Sequence, residues 1–253
     1  MSNELILAIS GNDIFSAGGL HADLATYTTN KQHGFVAVTC LTAMTEQGFE
    51  VIPVDPTTFA QQLNSLKDVP FSAIKLGLLP NVEVADLALD YVKDHADIPV
   101  VLDPVLVCKE THDVEVSALR DELIRFFPSV TIITPNLPEA EILTQSKIQS
   151  LDDMKEAARK LHELGAATVV VKGGNRLNKE KAIDVFYDGQ DFTVFEEDVL
   201  EKNNTGAGCT FASSIASQLV QGKATLEAVK ASKAFVYQAI QKSDQYGVVQ
   251  YDQ

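Results

Sequence analysis

Cysteine is scarce in this 253-residue chain: Cys40, Cys108 and Cys209 are the whole set, an odd number with no CxxC spacing. That excludes a disulfide framework, and a zinc site by spacing. Basic residues are also few, 20 Lys and Arg against 35 Asp and Glu, for a formal net charge of −15. Neither nucleic acid nor an anionic membrane surface is expected as the main partner, because both need a basic face. A small anion remains possible, since a nest of backbone N–H groups holds phosphate despite the global field. No apolar run approaches the length of a membrane span, and the opening MSNELILAIS lacks the basic start and long apolar stretch of a secretory leader. The expected location is therefore cytoplasmic, with reduced thiols. There is no GxSxG nucleophile motif, which leaves acyl-transfer hydrolysis unsupported. No GxGxxG follows the first apolar run, which disfavours a nicotinamide-dependent oxidoreductase.

What is present is a globular composition, 45% hydrophobic and 22% charged. Short apolar runs at Leu5–Ile9, Ala73–Leu76, Val100–Leu102, Val130–Ile133 and Thr168–Val171 read as buried strands. Between them, Ala22–His33, Thr57–Leu66, Val82–His95, Val116–Phe127 and Asp152–Leu164 carry helical spacing. This alternation predicts a mostly parallel sheet clothed by helices. Phe49–Val54 reads as an extra strand outside the pattern, and Ile183–Tyr187 with Phe192–Phe195 as a hairpin across Asp188-Gly189. Two helices, Gly206–Val220 and Leu226–Lys242, close the chain. Without a linker, repeat or low-complexity stretch, residues 1–253 are expected to form one domain. In such sheets ligands gather beyond the carboxyl ends of the strands.

The segment Asn203-Asn204-Thr205-Gly206-Ala207-Gly208-Cys209-Thr210-Phe211 precedes an apolar helical stretch. Its glycines permit close backbone approach, and first-turn N–H groups with the helix dipole make an anion site. Cys209 stands at that helix start, where a thiol pKa is expected to fall. The competing reading is a tightly packed loop with a small buried cysteine.

GAGCTF resembles the anion-hole motif of ribokinase-like kinases. Cysteine stands where the sugar kinases carry a catalytic aspartate, as in the branch of hydroxymethylpyrimidine kinases and two-cysteine bacterial pyridoxal kinases. Four further motifs match in order: Gly11-Asn12-Asp13 with Ser16–Asp23, Asp103-Pro104-Val105, Thr134–Glu141, and Val171-Lys172-Gly173-Gly174. The resemblance implies a single-domain, three-layer α/β/α fold with a small lid. It also implies an ATP- and Mg²⁺-dependent kinase acting on a hydroxymethyl heterocycle, and a homodimer, for which the extra strand Phe49–Val54 is the candidate surface.

Residue by residue, the resemblance places Gly11 and Asp23 in the heterocycle pocket, with Val105 of the DPV motif. It places Asp103 near the metal and the transferring phosphate. Asn136 and Glu139 match the motif that holds the water shell of Mg²⁺, although the same spacing is a capping box. Lys172, at a strand end, is suited to neutralise ATP phosphates, and Gly206, Ala207 and Gly208 to hold the developing negative charge. Two departures bear on substrate. Met44 stands where hydroxymethylpyrimidine kinases carry glutamine; a thioether suits a ring without the amine, and core filling is the competing reading. Cys108, in the segment resembling the lid, is suited to add reversibly to an aldehyde while Cys209 acts on the hydroxyl. Which cysteine does which stays open. Pyridoxal kinase is therefore the expected activity, with hydroxymethylpyrimidine (phosphate) kinase and a non-catalytic vitamin-binding regulator as alternatives.

Overall fold

The computed structural model describes residues 4–106 and 113–251. Its contacts divide the chain into two compact units, residues 1–103 with 202–253, and residues 104–201. Eight α-helices and nine strands lie among the described residues.

The first unit carries β1 (Leu5–Asn12), β2 (His33–Thr45), β3 (Gly48–Pro53), β4 (Ala73–Leu76) and β5 (Val100–Leu102), in the order β3-β2-β1-β4-β5. The β2–β1, β1–β4 and β4–β5 pairs are parallel, and only β3 runs antiparallel, against β2. Strands β1, β4 and β5 bury nearly all of their side chains, which is why they read as unbroken apolar runs. Strand order reverses at β1, whose neighbours are β2 on one side and β4 on the other. The carboxyl ends of β1 and β4 are therefore the switch point where such sheets open a crevice.

Helix α1 (Gly19–Thr29) and α7 (Ala207–Val220) pack on each other; α1 lies on β1 and β2, and α7 on β4 and β5, with α8 (Thr225–Gln241) against α7. Helix α2 (Pro56–Leu66) lies on β2 and α3 (Val82–Lys93). Asp55 caps α2 through Thr58 N–H at 3.0 Å, with Pro56 preset for the first turn.

The second unit carries α4 (Asp113–Ile124), β6 (Ile132–Ile133), α5 (Leu137–Thr144), α6 (Leu151–Glu163), β7 (Val169–Lys172), β8 (Lys181–Tyr187) and β9 (Phe192–Asp198). Strands β6 and β7 are parallel, and β7-β8-β9 continue antiparallel, with β8 and β9 forming the expected hairpin. Helix α6 presents Met154, Ala157, Ala158 and Leu161 to the core, and Ser150 caps its start. The expected α/β architecture with mostly parallel strands is what the structure has. No described helix is long and apolar enough to cross a membrane.

Candidate active site

In the first unit, β1 ends in Ser10-Gly11-Asn12 and opens into a loop organised by Asp13. Its Oδ1 accepts from Phe15 N–H at 3.0 Å and its Oδ2 from Gly18 N–H at 2.8 Å. The loop delivers the chain to Gly19, first residue of α1. Close packing demands small residues here: a Cβ on Gly11 would lie 2.5 Å from Cys40 Sγ, and one on Gly19 2.2 Å from the Gly11 carbonyl oxygen. Cys40 itself is buried core.

Helix α7 begins against this loop. Its cap residue, Gly206, has φ of 85° and offers no side chain to the first turn. A Cβ at Gly206 would fall 1.7 Å from the Ala17 carbonyl oxygen, so only glycine lets the two loops meet. Gly206, Ala207, Gly208 and Cys209 are half-buried, whereas Thr210 onward is core. A 14-residue helix thus opens with its first turn reachable from solvent and no side-chain cap in the way.

Cys209 Sγ accepts the Gly19 N–H at 3.4 Å, so the sulfur lies at the starts of α7 and α1 together. The expectation of a lowered thiol is nonetheless overturned. Burial pushes the Cys209 thiol up to about 11; the Lys75 ammonium and the Gly19 amide pull it down, while Asp103 and Asp23 push it further up. Desolvation of the thiolate outweighs the helix-start effect.

Asp103, 3% exposed, follows β5 at the carboxyl edge, its N–H bonded to the Leu76 carbonyl at 2.9 Å. Asp23, predicted to face the heterocycle, is fully buried inside α1. Its carboxylate meets Lys75 Nζ at 2.9 and 3.0 Å and accepts from Ser213 Oγ at 2.5 Å. Burial opposes the Lys75 ammonium, yet the anionic groups facing it, Asp23 first, hold its pKa above the ordinary value. Met44 is 60% exposed on β2, opposite Phe49 of β3, which removes the core-filling reading.

In the second unit, Asn136 and Glu139 form a reciprocal capping box at α5. Asn136 Oδ1 accepts Glu139 N–H at 3.0 Å, and Glu139 Oε2 accepts Asn136 N–H at 2.8 Å. Glu139 is buried and Asn136 half-buried. The Asn136 backbone bridges that of Lys172, whose N–H donates to the Pro135 carbonyl at 2.8 Å. Lys172, the half-buried last residue of β7, is thus brought beside the capping box. Val105 is half-buried, and Cys108 lies outside the described residues.

Sequence reasoning passed over Lys75 and Ser213. The signal was a lysine inside Ala73–Leu76, a run otherwise apolar, and a serine one helical turn after Cys209. A cavity of about 530 Å³ opens beside the first loop, lined by Ile14, Phe15, His21, Tyr246 and Tyr251 among others, but no predicted site residue lines it. Among the described residues, no group of three or more His, Cys, Asp or Glu side chains is placed to hold a metal ion.

A glycine-opened helix start, a thiol beside it and a carboxylate at the end of β5 are groups suited to an anion and a polar acceptor. The family description that matches, over residues 13–252, is phosphomethylpyrimidine kinase, and the chain belongs to that family. Pyridoxine kinase of Bacillus subtilis is 39% identical, with 96% of this chain and 92% of that protein aligned. A hydroxymethylpyrimidine/phosphomethylpyrimidine kinase of Aquifex aeolicus is 34% identical, with 96% of each aligned. Among solved structures, an ADP complex of Bacillus subtilis pyridoxal kinase superposes with a TM-score of 0.91 at 37% identity, over 97% of this chain and 96% of that one. Staphylococcus aureus pyridoxal kinase with AMP-PCP and pyridoxal gives 0.90 at 33% identity, over 99% and 94%.

Proposed function

We propose that this protein is a pyridoxal kinase, transferring the γ-phosphoryl group of ATP to the 5′-hydroxymethyl group of pyridoxal, with pyridoxine and pyridoxamine as further substrates. The observation that carries the reading is Cys209 at the uncapped, glycine-opened start of α7, with its sulfur held by the Gly19 amide. The hydroxyl oxygen bonds to the γ-phosphorus as the bond from phosphorus to the β,γ-bridging oxygen breaks, ADP leaves, and the hydroxyl proton passes to the Cys209 thiolate. Positioning and charge stabilisation supply most of such a rate enhancement. Backbone N–H groups at Gly206–Cys209 face the developing charge, and Lys172 serves the nucleotide phosphates.

Asp103, after β5 in the first unit, and Glu139, on α5 in the second, are each a buried carboxylate, the hard oxygen donor that Mg²⁺ takes. Mg²⁺ brought in with the nucleotide would neutralise phosphate charge. Asn136 and the capping box hold Glu139 in one orientation, and Gly11, Met44, Val105 and Cys108 belong to the acceptor side. Asp23 belongs there only as support, because its carboxylate is spent on Lys75 and Ser213. We further propose that residues 1–253 act as one cytoplasmic kinase domain. It would pair as a homodimer through the β2–β3 ribbon, where Leu41 faces Ile52 and Met44 faces Phe49, all four 40–60% exposed.

Hydroxymethylpyrimidine is the second acceptor to weigh, and Met44 speaks against it because a thioether does not bind an aminopyrimidine amine as an amide does. The test is ATP-dependent phosphorylation of pyridoxal, pyridoxine, pyridoxamine and hydroxymethylpyrimidine, compared by kcat/KM. Preference for the B6 vitamers is expected; a large preference for the aminopyrimidine would reject the assignment.

A further inference from the structure

Lys75 is a lysine at the centre of a buried strand, 0% exposed, between Ile74 and Leu76, which are equally buried. A matched pair of apolar side chains in place of such an ion pair is often neutral or stabilising, so stability alone does not account for it. Its neighbours suggest a different role. Gly19 and Asp23 lie one helical turn apart on α1, and Cys209 and Ser213 one turn apart on α7, so each pair shares a face. At the first turn Gly19 N–H donates to Cys209 Sγ at 3.4 Å; at the next, Ser213 Oγ donates to Asp23 Oδ1 at 2.5 Å. The second clamp is anchored to β4 by Lys75 Nζ, which meets both Asp23 oxygens. Glycine at 77 leaves room for the ammonium: a Cβ there would lie 2.8 Å from Lys75 Nζ and 2.3 Å from Ser10 Oγ.

We propose that Lys75, through Asp23, is a positioning residue for Cys209: it holds the start of α1 against the start of α7 and supplies the positive charge against which the sulfur ionises. The proposal rests on the reading of Cys209 as the base. The charged and titratable groups whose charge reaches the sulfur are Lys75 from β4, Asp103 after β5 and, on α1, Asp23 and Tyr27. After burial itself, the Lys75 ammonium is the strongest of the influences on the thiol and favours its ionised form; Asp103 and Asp23 oppose it.

The experiment alkylates the full-length protein with iodoacetamide at pH 8 and quantifies modification at Cys209 by peptide mass spectrometry, since only the thiolate reacts. Removing a nearby opposite charge from an acid is worth about one pKa unit or more, hence about tenfold in rate. Lys75→Met is expected to slow Cys209 alkylation about tenfold and to lower kcat more than it raises KM. Asp23→Asn, which removes an anion and leaves the ammonium, is expected to speed alkylation. A structural role alone moves both variants the same way or neither, and either result overturns the proposal. The double variant Lys75→Met with Asp23→Asn leaves no buried charge stranded and serves if a single variant fails to fold. Slower alkylation than wild type supports the proposal, and an unchanged rate overturns it. Alkylation needs no turnover, so a wild-type protein inactive on every B6 vitamer would reject the functional assignment while this test still stands.

Discussion

Replacing Gly206 by alanine asks whether the meeting of the two loops, rather than glycine's flexibility in general, makes the anion site. Gly206 has φ of 85°, and the added methyl would sit 1.7 Å from the Ala17 carbonyl oxygen and 2.6 Å from its carbon. The left-handed backbone alone costs about 1–3 kcal/mol for a residue with a Cβ. At roughly 2–4 °C per kcal/mol for a chain of this size, the melting temperature falls by roughly 2–12 °C. The clash adds displacement of the first turn of α7, and loss of one well-placed oxyanion donor typically costs about 10²–10³ in kcat. Gly222 is the control: its φ is 82°, yet nothing lies within 4 Å of the added Cβ. Gly222→Ala therefore carries strain without the clash. Thermal unfolding by circular dichroism and kcat with pyridoxal, measured on both variants, separate the two effects. The expected pattern is lowered melting in both and a kcat loss of about 10²–10³ only in Gly206→Ala. A Gly206→Ala enzyme within threefold of wild-type kcat, or an equal loss in Gly222→Ala, would refute the reasoning.

A base must be deprotonated to act, and burial raises the Cys209 thiol to about 11, so the free protein holds mostly neutral thiol at pH 7. Because kcat/KM reports the free enzyme, it should climb by about tenfold per pH unit between pH 7 and 9.5 without levelling; a plateau below pH 8 would remove Cys209 as the base. Cys108→Ala should reduce kcat/KM for pyridoxal more than for pyridoxine, which has no aldehyde to accept a thiol. Equal losses on the two substrates would count against a hemithioacetal.

Strand positions were legible because burial on both faces leaves continuous apolar runs: Ala73–Leu76 and Val100–Leu102 are β4 and β5 to the residue. The carboxyl-edge residues that follow such runs, Asp103 and Lys172, were legible for the same reason. Where the chain departs from that pattern, reading by apolar run failed. Strand β1 continues through Ser10, Gly11 and Asn12 because its backbone still pairs with β2, with a register shift between Ser10 and Asn12. Thr134–Glu141 showed its capping box, but α5 behind it is only eight residues long and too short for a clear period.

The acceptor-side expectation for Asp23 has a different difficulty. Its helix position was close to right, but a carboxylate's role depends on what else reaches it, and Lys75 is 52 residues away in sequence. The Cys209 thiol follows the same logic with opposite sign. Adjacency to a helix start is a local property and argues for a lowered pKa, whereas desolvation is set by all the elements around it and wins. Local pattern therefore located the chemical groups, and long-range burial decided their charge. Lys75 is where the two meet: the pattern marks it as an anomaly in an apolar strand, and only the packing of α1 and α7 above β4 gives the anomaly a task.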